Sequence, residues 1–336
     1  MFVKMECDMK AFKCLSASLA AFAFLGIATV SVAAEDRYPS RPIRLVVPWP
    51  AGGTVDIVGR VLAERMTERL KTPVVVENKP GATGQIGSQA VANAAPDGYT
   101  LLIMSATVHT VSPNLTKSFP FDPIESFSLI SGLVSFPYVM VVSAKSPYNS
   151  VADLVKDARQ NPGKVSYGSF GIGSGPFLIS ELFASTTGTQ LLHVPYKGAG
   201  PALTDLNAGE ISFFIDSLPS PLGQIRGGKL RALSVTTRER SPTVPDVPTM
   251  GETIAGFEAI AWIGLCAPAR TPPEIIDALH KAVVEISAER GYNARLREIG
   301  LEPTASQSPA QFKAFVVDQK QYWADFIRKA NIPLAE

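Results

Sequence analysis

The chain has 336 residues, 46% of them hydrophobic, and its 31 Lys and Arg nearly match its 30 Asp and Glu. That balance leaves no basic field to hold nucleic acid or an anionic membrane surface, so any recognition of charge has to be local. Of three cysteines, Cys7 and Cys14 lie in a leader-like segment, and Cys266 alone excludes an internal disulfide or a thiolate metal cluster in the mature chain.

Lys10 and Lys13 precede an apolar run, Leu15 to Val32, closed by Ala33 and Ala34. This predicts a cleaved secretory signal peptide over residues 1–34 and a periplasmic destination, with an uncleaved anchor as the alternative because the run is long. A second start at Met9 would give a cleaner basic leader, and Phe12 and Lys13 before Cys14 are not a lipoprotein context. Cleavage after Ala34 removes Lys4, Lys10, Lys13, Glu6 and Asp8, leaving 28 charges of each sign. The remaining chain of roughly 300 residues suits one large domain or two of ordinary size.

From Ile43 onward, strand and helix signals alternate. An apolar strand beginning IRLVV runs into the turn Pro48, Trp49, Pro50, Ala51, Gly52, Gly53. A helix follows at once, with Ile57, Val58, Val61, Leu62, Met66 and Leu70 at helical spacing and charged residues between them. Strand Val74 to Glu77, loop NKPGATG and a helix around Ile86 to Ala94 come next, then strand Tyr99 to Met104 with SATVHT at its end. A long apolar stretch spans Phe127 to Ser143. Ser150 caps a helix through Gln160, stopped by Asn161, Pro162 and Gly163. Strand Lys164 to Ser169 enters the loop FGIGSG, and Pro176 suits the first turn of a helix reaching about Thr186. The pattern repeats through HVPY, loop KGAG and helix Pro201 to Asn207, then through ISFFID, loop SLPS and a short helix, then strand Leu230 to Thr236. A proline-rich link leads to the apolar strand Phe257 to Ala267, and two helices close the chain, one after Thr271 and one from Ser308 to about Ala330. This is an α/β chain with mostly parallel strands, whose ligand belongs beyond the carboxyl ends of those strands.

The turn at Trp49 to Gly53 aims helix N–H groups and the positive end of a dipole at whatever sits above the strand, which suits an anion. Asp56 has two readings: a first-turn acid favoured by the dipole, or a residue of the site. Trp49 is either core or a pocket wall, and the flanking prolines favour the wall. Gly52 and Gly53 also read simply as residues that permit positive φ. The glycine loops at 81–87 and 168–175 do not make a dinucleotide fingerprint, and neither is followed by the Lys-Ser or Lys-Thr of a phosphate loop. The chain has no G-x-S-x-G, S-x-x-K or H-E-x-x-H pattern. Among the histidines, His280 reads as a surface residue, His193 as a structural hydrogen bonder, and His109 as either a loop residue or part of the site. No catalytic residue, cofactor or metal is expected.

Taken in order, YPSRPIRLVVPWPAGGTVD, VVVENKPGATGQIG, PDGYTLL, YGSFGIGSG, HVPYKGAGPALTDLNAG, LRALSVTT, PDVPT and WIGLCAPARTPPEI make the mature chain resemble the solute-binding proteins of the tripartite tricarboxylate transporter system, the Bug or TctC-like family. The resemblance implies a two-lobed periplasmic binding protein fold of type II, with lobe I over 35–135 and 261–336 and lobe II over 136–260. Two crossover strands would join them, at Phe127 to Ser143 and Phe257 to Ala267. It implies a small carboxylate ligand, a di- or tricarboxylate or an aromatic acid, held by backbone N–H groups, short polar side chains and waters in an interlobe cleft. By position, Trp49, Ala51, Gly52, Gly53 and Asp56 would hold one carboxylate from the first lobe, directly or through water, beside Ser105, Thr107 and His109. Ser169, Gly171, Gly173, Ser174, Tyr196 and Asp216 would close on it from the second. The family often has glycine and threonine where this chain reads SATVHT. A monomer delivering its ligand to the membrane subunits of a transporter, or to a sensor kinase, is the leading expectation. The alternative is a secreted enzyme acting on a small anionic substrate.

Overall fold

A computed structural model describes residues 38–330 and 332, so the signal segment expected over 1–34 lies outside the described residues. The architecture that follows is that of the unit beginning at Arg41. In chain order, it opens with β1 (Ile43–Val47), α1 (Thr54–Leu70), β2 (Val74–Asn78), α2 (Gln85–Ala92), β3 (Thr100–Ser105) and β4 (Phe127–Ser143). Then come α3 (Val151–Gln160), β5 (Ser166–Ser169), α4 (Gly175–Thr187), β6 (Leu192–Pro195), α5 (Ala199–Ala208), β7 (Phe213–Ser217), α6 (Leu222–Arg226) and β8 (Leu230–Val235). The chain ends with β9 (Ile260–Pro268), α7 (Pro273–Ser287), α8 (Arg290–Glu298), β10 (Glu302–Pro303) and α9 (Pro309–Lys329).

The sheet runs β2-β1-β3-β9-β4-β7-β5-β6, with β8 and β10 also paired to β4. Parallel triplets stand at both ends. β1 lies between β2 and β3, and β5 between β6 and β7. The long strands β4 and β9 run antiparallel to each other between the triplets. The first half of β4, Phe127 to Pro137, pairs with β9, and the second half, from Tyr138, pairs with β7 and β8. Nearly every residue of β4 is buried. That explains its mostly apolar sequence, with small serines as its polar residues, since helices or loops cover both of its faces.

Helix formation follows local rules. α1 buries Val58, Val61, Leu62 and Met66 of the stripe that its spacing predicted, while Ile57 stays exposed and Leu70 half-buried, with Asp56 in its first turn and Arg69 in its last. Ser150 caps α3 by accepting the Asp153 N–H at 3.1 Å, and Val151, Leu154 and Ala158 go inside. Clusters of buried residues form on both sides of the crossing strands. One gathers Leu102, Met104, Phe127, Trp262, Cys266 and Phe312. The other gathers Val139, Val141, Leu203, Leu206, Phe214 and Leu230.

Between them, Thr236 ties the crossing strands together. Its hydroxyl accepts the Tyr138 N–H at 2.9 Å and donates to the Ala259 carbonyl at 2.6 Å. The structure differs from expectation at the end of the chain, where three helices replace two. α8 is polar apart from an i,i+4 buried pair, Tyr292 and Leu296, so it carries too little apolar periodicity to be seen in sequence. Among the described residues no helix is long and apolar enough to cross a membrane.

Candidate functional site

The PWPAGG turn between β1 and α1 is held by a polar clasp. The Asp56 carboxylate accepts the Gly52 N–H at 2.8 Å and Arg60 Nε at 2.9 Å on one oxygen, and Asn78 Nδ2 at 2.7 Å on the other. Asn78 Nδ2 also donates to the Trp49 carbonyl at 3.1 Å, and the Arg60 guanidinium donates to Asn78 Oδ1 at 2.9 Å. Gly52 turns the chain at φ +87°, a conformation that a side chain would strain. Burial pulls the Asp56 carboxyl upward. The bonds from Arg60, Gly52 and Asn78 outweigh it and hold the group below the usual carboxylate range. Gly53 caps α1 with no side-chain acceptor, so the first N–H groups of that helix have no side-chain cap.

Toward the other end of the sheet, the FGIGSG loop after β5 wraps around two serines. Ser169 Oγ accepts the Gly171 N–H at 2.9 Å and lies 2.6 Å from His193 Nε2. Ser174 Oγ donates to the Gly171 carbonyl at 2.7 Å and accepts the Phe170 and Phe177 N–H groups, capping α4. Gly175 stands where a Cβ would collide with the Tyr138 phenol. Asp216 ends β7, accepts the Ser217 N–H at 2.7 Å and is also bonded by the Ser220 side chain. Burial pushes its carboxyl up to about 6 against those bonds.

A cleft of about 500 Å³ opens between these two loop systems. Trp49, Ala51, Gly53, Ser105, Thr107, Ser174 and Asp216 line it, so the fold brings these residues from both sides together. The other sequence-predicted residues are not part of this lining. Gly52 and Asp56 form the clasp, while Ser169, Gly171 and Gly173 shape the second loop. Tyr196 turns its hydroxyl onto Asp205 at 2.9 Å. His109 is fully buried, packed edge-on against Phe127, with Nδ1 3.2 Å from the Ser105 carbonyl. Burial takes its pKa down to about 4, so it is neutral at neutral pH. The π-helical turn Thr107–Val111 turns this side chain into the core, a twist that SATVHT does not announce.

Much of the lining was not anticipated. Phe136 and Tyr138 come from β4, Ala261, Trp262 and Ile263 from β9, and Phe170 and Ile172 from the second loop. Only the two bulky exposed residues in an otherwise small-residue loop, Phe170 and Ile172, left a signal in the sequence. Three buried polar atoms of the lining have no hydrogen-bond partner among the described residues: Trp49 Nε1, Ser105 Oγ and Trp262 Nε1. Buried donors of this kind are rare in native proteins and call for an acceptor. The described lining contains no Lys or Arg. Among the described residues no group of three or more His, Cys, Asp or Glu could hold a metal.

The family described as "Tripartite tricarboxylate transporter family receptor" matches residues 58–332. Protein BugT of Bordetella pertussis is 37% identical over 313 residues, covering 92% of this chain and 96% of that protein. An R. palustris protein solved with adipate superposes with a TM-score of 0.81 at 34% identity, over 88% of this chain and 99% of that one. MatC from Rhodopseudomonas palustris with bound malate does so with a TM-score of 0.76 at 28% identity, over 86% and 100%. The fold is therefore the two-lobed one of periplasmic binding proteins, with parallel strands in each half and β4 and β9 crossing between them. The family consists of receptors and not of enzymes, which sets aside the secreted-enzyme alternative. On the length and identity of these matches, the chain belongs to the tripartite tricarboxylate transporter receptors.

Proposed function

We propose that this receptor captures a small carboxylate, a di- or tricarboxylate or an aromatic acid, in the cleft and delivers it to the membrane subunits of a tripartite tricarboxylate-type transporter or to a sensor. One observation carries the reading. The uncapped start of α1 opens on a cleft whose described lining holds no Lys or Arg. Such a site favours an anion through N–H groups and dipole while leaving its charge unneutralised, so release requires no ion pair to break. The adipate and malate in the two R. palustris structures support a carboxylate.

Lobe I is assigned to 35–135 and 261–336 and lobe II to 136–260, a division supported by the two halves of β4 pairing with different strands. Closure of the lobes would bring the α1 turn and the FGIGSG loop onto the same ligand. The chain is exported as a monomer, with its leader cut near Ala34. Among the site residues, Trp49, Ala51, Gly53, Ser105, Thr107, Ser174 and Asp216 touch the ligand, and Asp56 orders the turn.

Native mass spectrometry of protein purified from the periplasm tests the reading. The expected species is a monomer lacking residues 1–34 that returns added adipate, malate or benzoate chemically unchanged. Ligand in saturating amounts should compact the protein in solution scattering and stabilise it, by about 2.7 kcal/mol at a hundredfold excess over Kd. No binding of any carboxylate, or turnover of one, would overturn the proposal.

A further inference from the structure

We infer that the preferred ligand is a monocarboxylate with a flat apolar body and a hydrogen-bond donor at its far end, which Asp216 accepts. The inference rests on the carboxylate reading above and narrows it to one class.

The cleft is chemically polarised along its length. At the β3 end, the start of α1 has no side-chain cap, and the Ser105 hydroxyl stands without a partner among the described residues. That end offers donors and needs an acceptor. The β7 end offers the reverse. Asp216 is 4% exposed, and Ser217 and Ser220 are the groups that reach it. No Lys or Arg lines the cleft, and the titratable group facing Asp216 from β4 is the Tyr138 phenol. A second carboxylate placed here would meet a buried acid in a closed space, where like charges interact strongly and neither is neutralised. A phenol, alcohol or amine would instead donate to it.

The middle of the cleft decides the shape of the ligand. Trp49, Phe136, Tyr138 and Phe170 bring aromatic side chains to its lining. Phe136 and Tyr138 are on a strand and buried, whereas Phe170 sits on a loop and is 37% exposed. A flat body packed among these side chains removes that exposure, whereas a strongly hydrated polyanion would be stripped of water against apolar walls. α4 gives a second anion little help, because Ser174 already caps it and Pro176 has no N–H. α5 begins at Gly198 without a side-chain cap and also borders the cleft. Dicarboxylate probes therefore test whether that helix end outweighs Asp216.

The experiment is calorimetric titration of the purified protein, stripped of co-purified ligand, at about pH 7.5, where free carboxylic acids are ionised. The probes are benzoate, 3- and 4-hydroxybenzoate, isophthalate, terephthalate, citrate, adipate and malate. The expected result is that one hydroxybenzoate binds at least about tenfold more tightly than benzoate and either phthalate, with citrate weaker still. In Asp216→Asn, which keeps the side-chain shape and adds a donor, the ratio between hydroxybenzoate and phthalate should shrink by about tenfold or more. A phthalate, citrate, adipate or malate binding as tightly as the best hydroxybenzoate would overturn the inference and leave the carboxylate reading standing. So would an Asp216→Asn variant of native circular dichroism with the wild-type ranking. If that variant does not fold, the wild-type ranking decides alone. Failure of every probe to bind would overturn the carboxylate reading itself, and the inference with it.

Discussion

Asp56 and Asp216 stand on opposite sides of the cleft, one in the first turn of a helix and the other at the end of a strand, and both are almost fully buried, at 2% and 4% exposed. Asp56 has a guanidinium, an amide and a backbone N–H on its oxygens, and its carboxyl lies below the usual range. Asp216 has hydroxyl and backbone donors with no cation, and burial lifts it to about 6. The paired acid is turned away from the cleft and shapes a loop, while the unpaired acid forms part of the wall. Identical side chains at similar burial thus take a structural and a recognition role, and the partners decide which.

The largest effect expected on binding is that of Trp49→Ala, which removes the ring that the Asp56 clasp positions. Affinity for a flat carboxylate should fall by about 2 kcal/mol, with a much smaller change in stability. Calorimetry and a melting curve on the same sample check it, and an affinity that survives would move the ligand away from this wall.

Asp216→Asn should have an effect of similar size, but on stability and with a pH signature. A carboxyl whose folded pKa is raised contributes stability that is fully present below its unfolded value, near 3.9, and lost as pH rises through the folded value of about 6. Above that window the ionised acid burdens the fold. Asp216→Asn should therefore be more stable than the parent by about 2 kcal/mol at neutral pH, with the gain vanishing near pH 4. Denaturant titrations across this range check the sign.

The clasp predicts the opposite pH behaviour. The contribution of Asp56 is present above its unfolded value and lost only as pH falls below it, through its lowered folded value. Asp56→Asn keeps the shape and weakens three acceptor bonds, so affinity should drop by about tenfold, or about 1.4 kcal/mol, while the fold is retained. Equal affinity would show that the turn keeps its form without the charge.

Ser105→Ala should be the mildest change. Its hydroxyl has no partner among the described residues, so stability should shift by less than about 0.5 kcal/mol, while affinity falls a few-fold if the hydroxyl meets the ligand. A stability loss with unchanged affinity would assign the hydroxyl to the fold.

The elements that the residues announce locally are the ones found. The glycine turn before α1, the Ser150 cap and the Asn161-Pro162-Gly163 stop act within a few residues of themselves, and β4 spans Phe127 to Ser143 as its apolar run predicts. The site was legible in part. Trp49, Ser105, Ser174 and Asp216 sit at strand ends or helix starts, where an α/β chain exposes its loops. His109 occupies the same kind of position, yet it turns inward, because a π-helical turn changes which way the side chain faces.

By itself, the sequence determined the strand-turn-helix units, the glycine turn with an open helix start and, through its ordered motifs, the family. These depend on backbone preferences and apolar spacing over short distances. The tertiary structure alone decided that Phe136 and Tyr138 line the cleft, that Asp56 is clasped by Asn78 and Arg60, and that Asp216 lacks a cation. In a mostly apolar strand, composition is the same for a residue that faces the core and one that faces a ligand. Strand register and the packing of distant segments set that direction, and with it the charge and shape that the cleft presents.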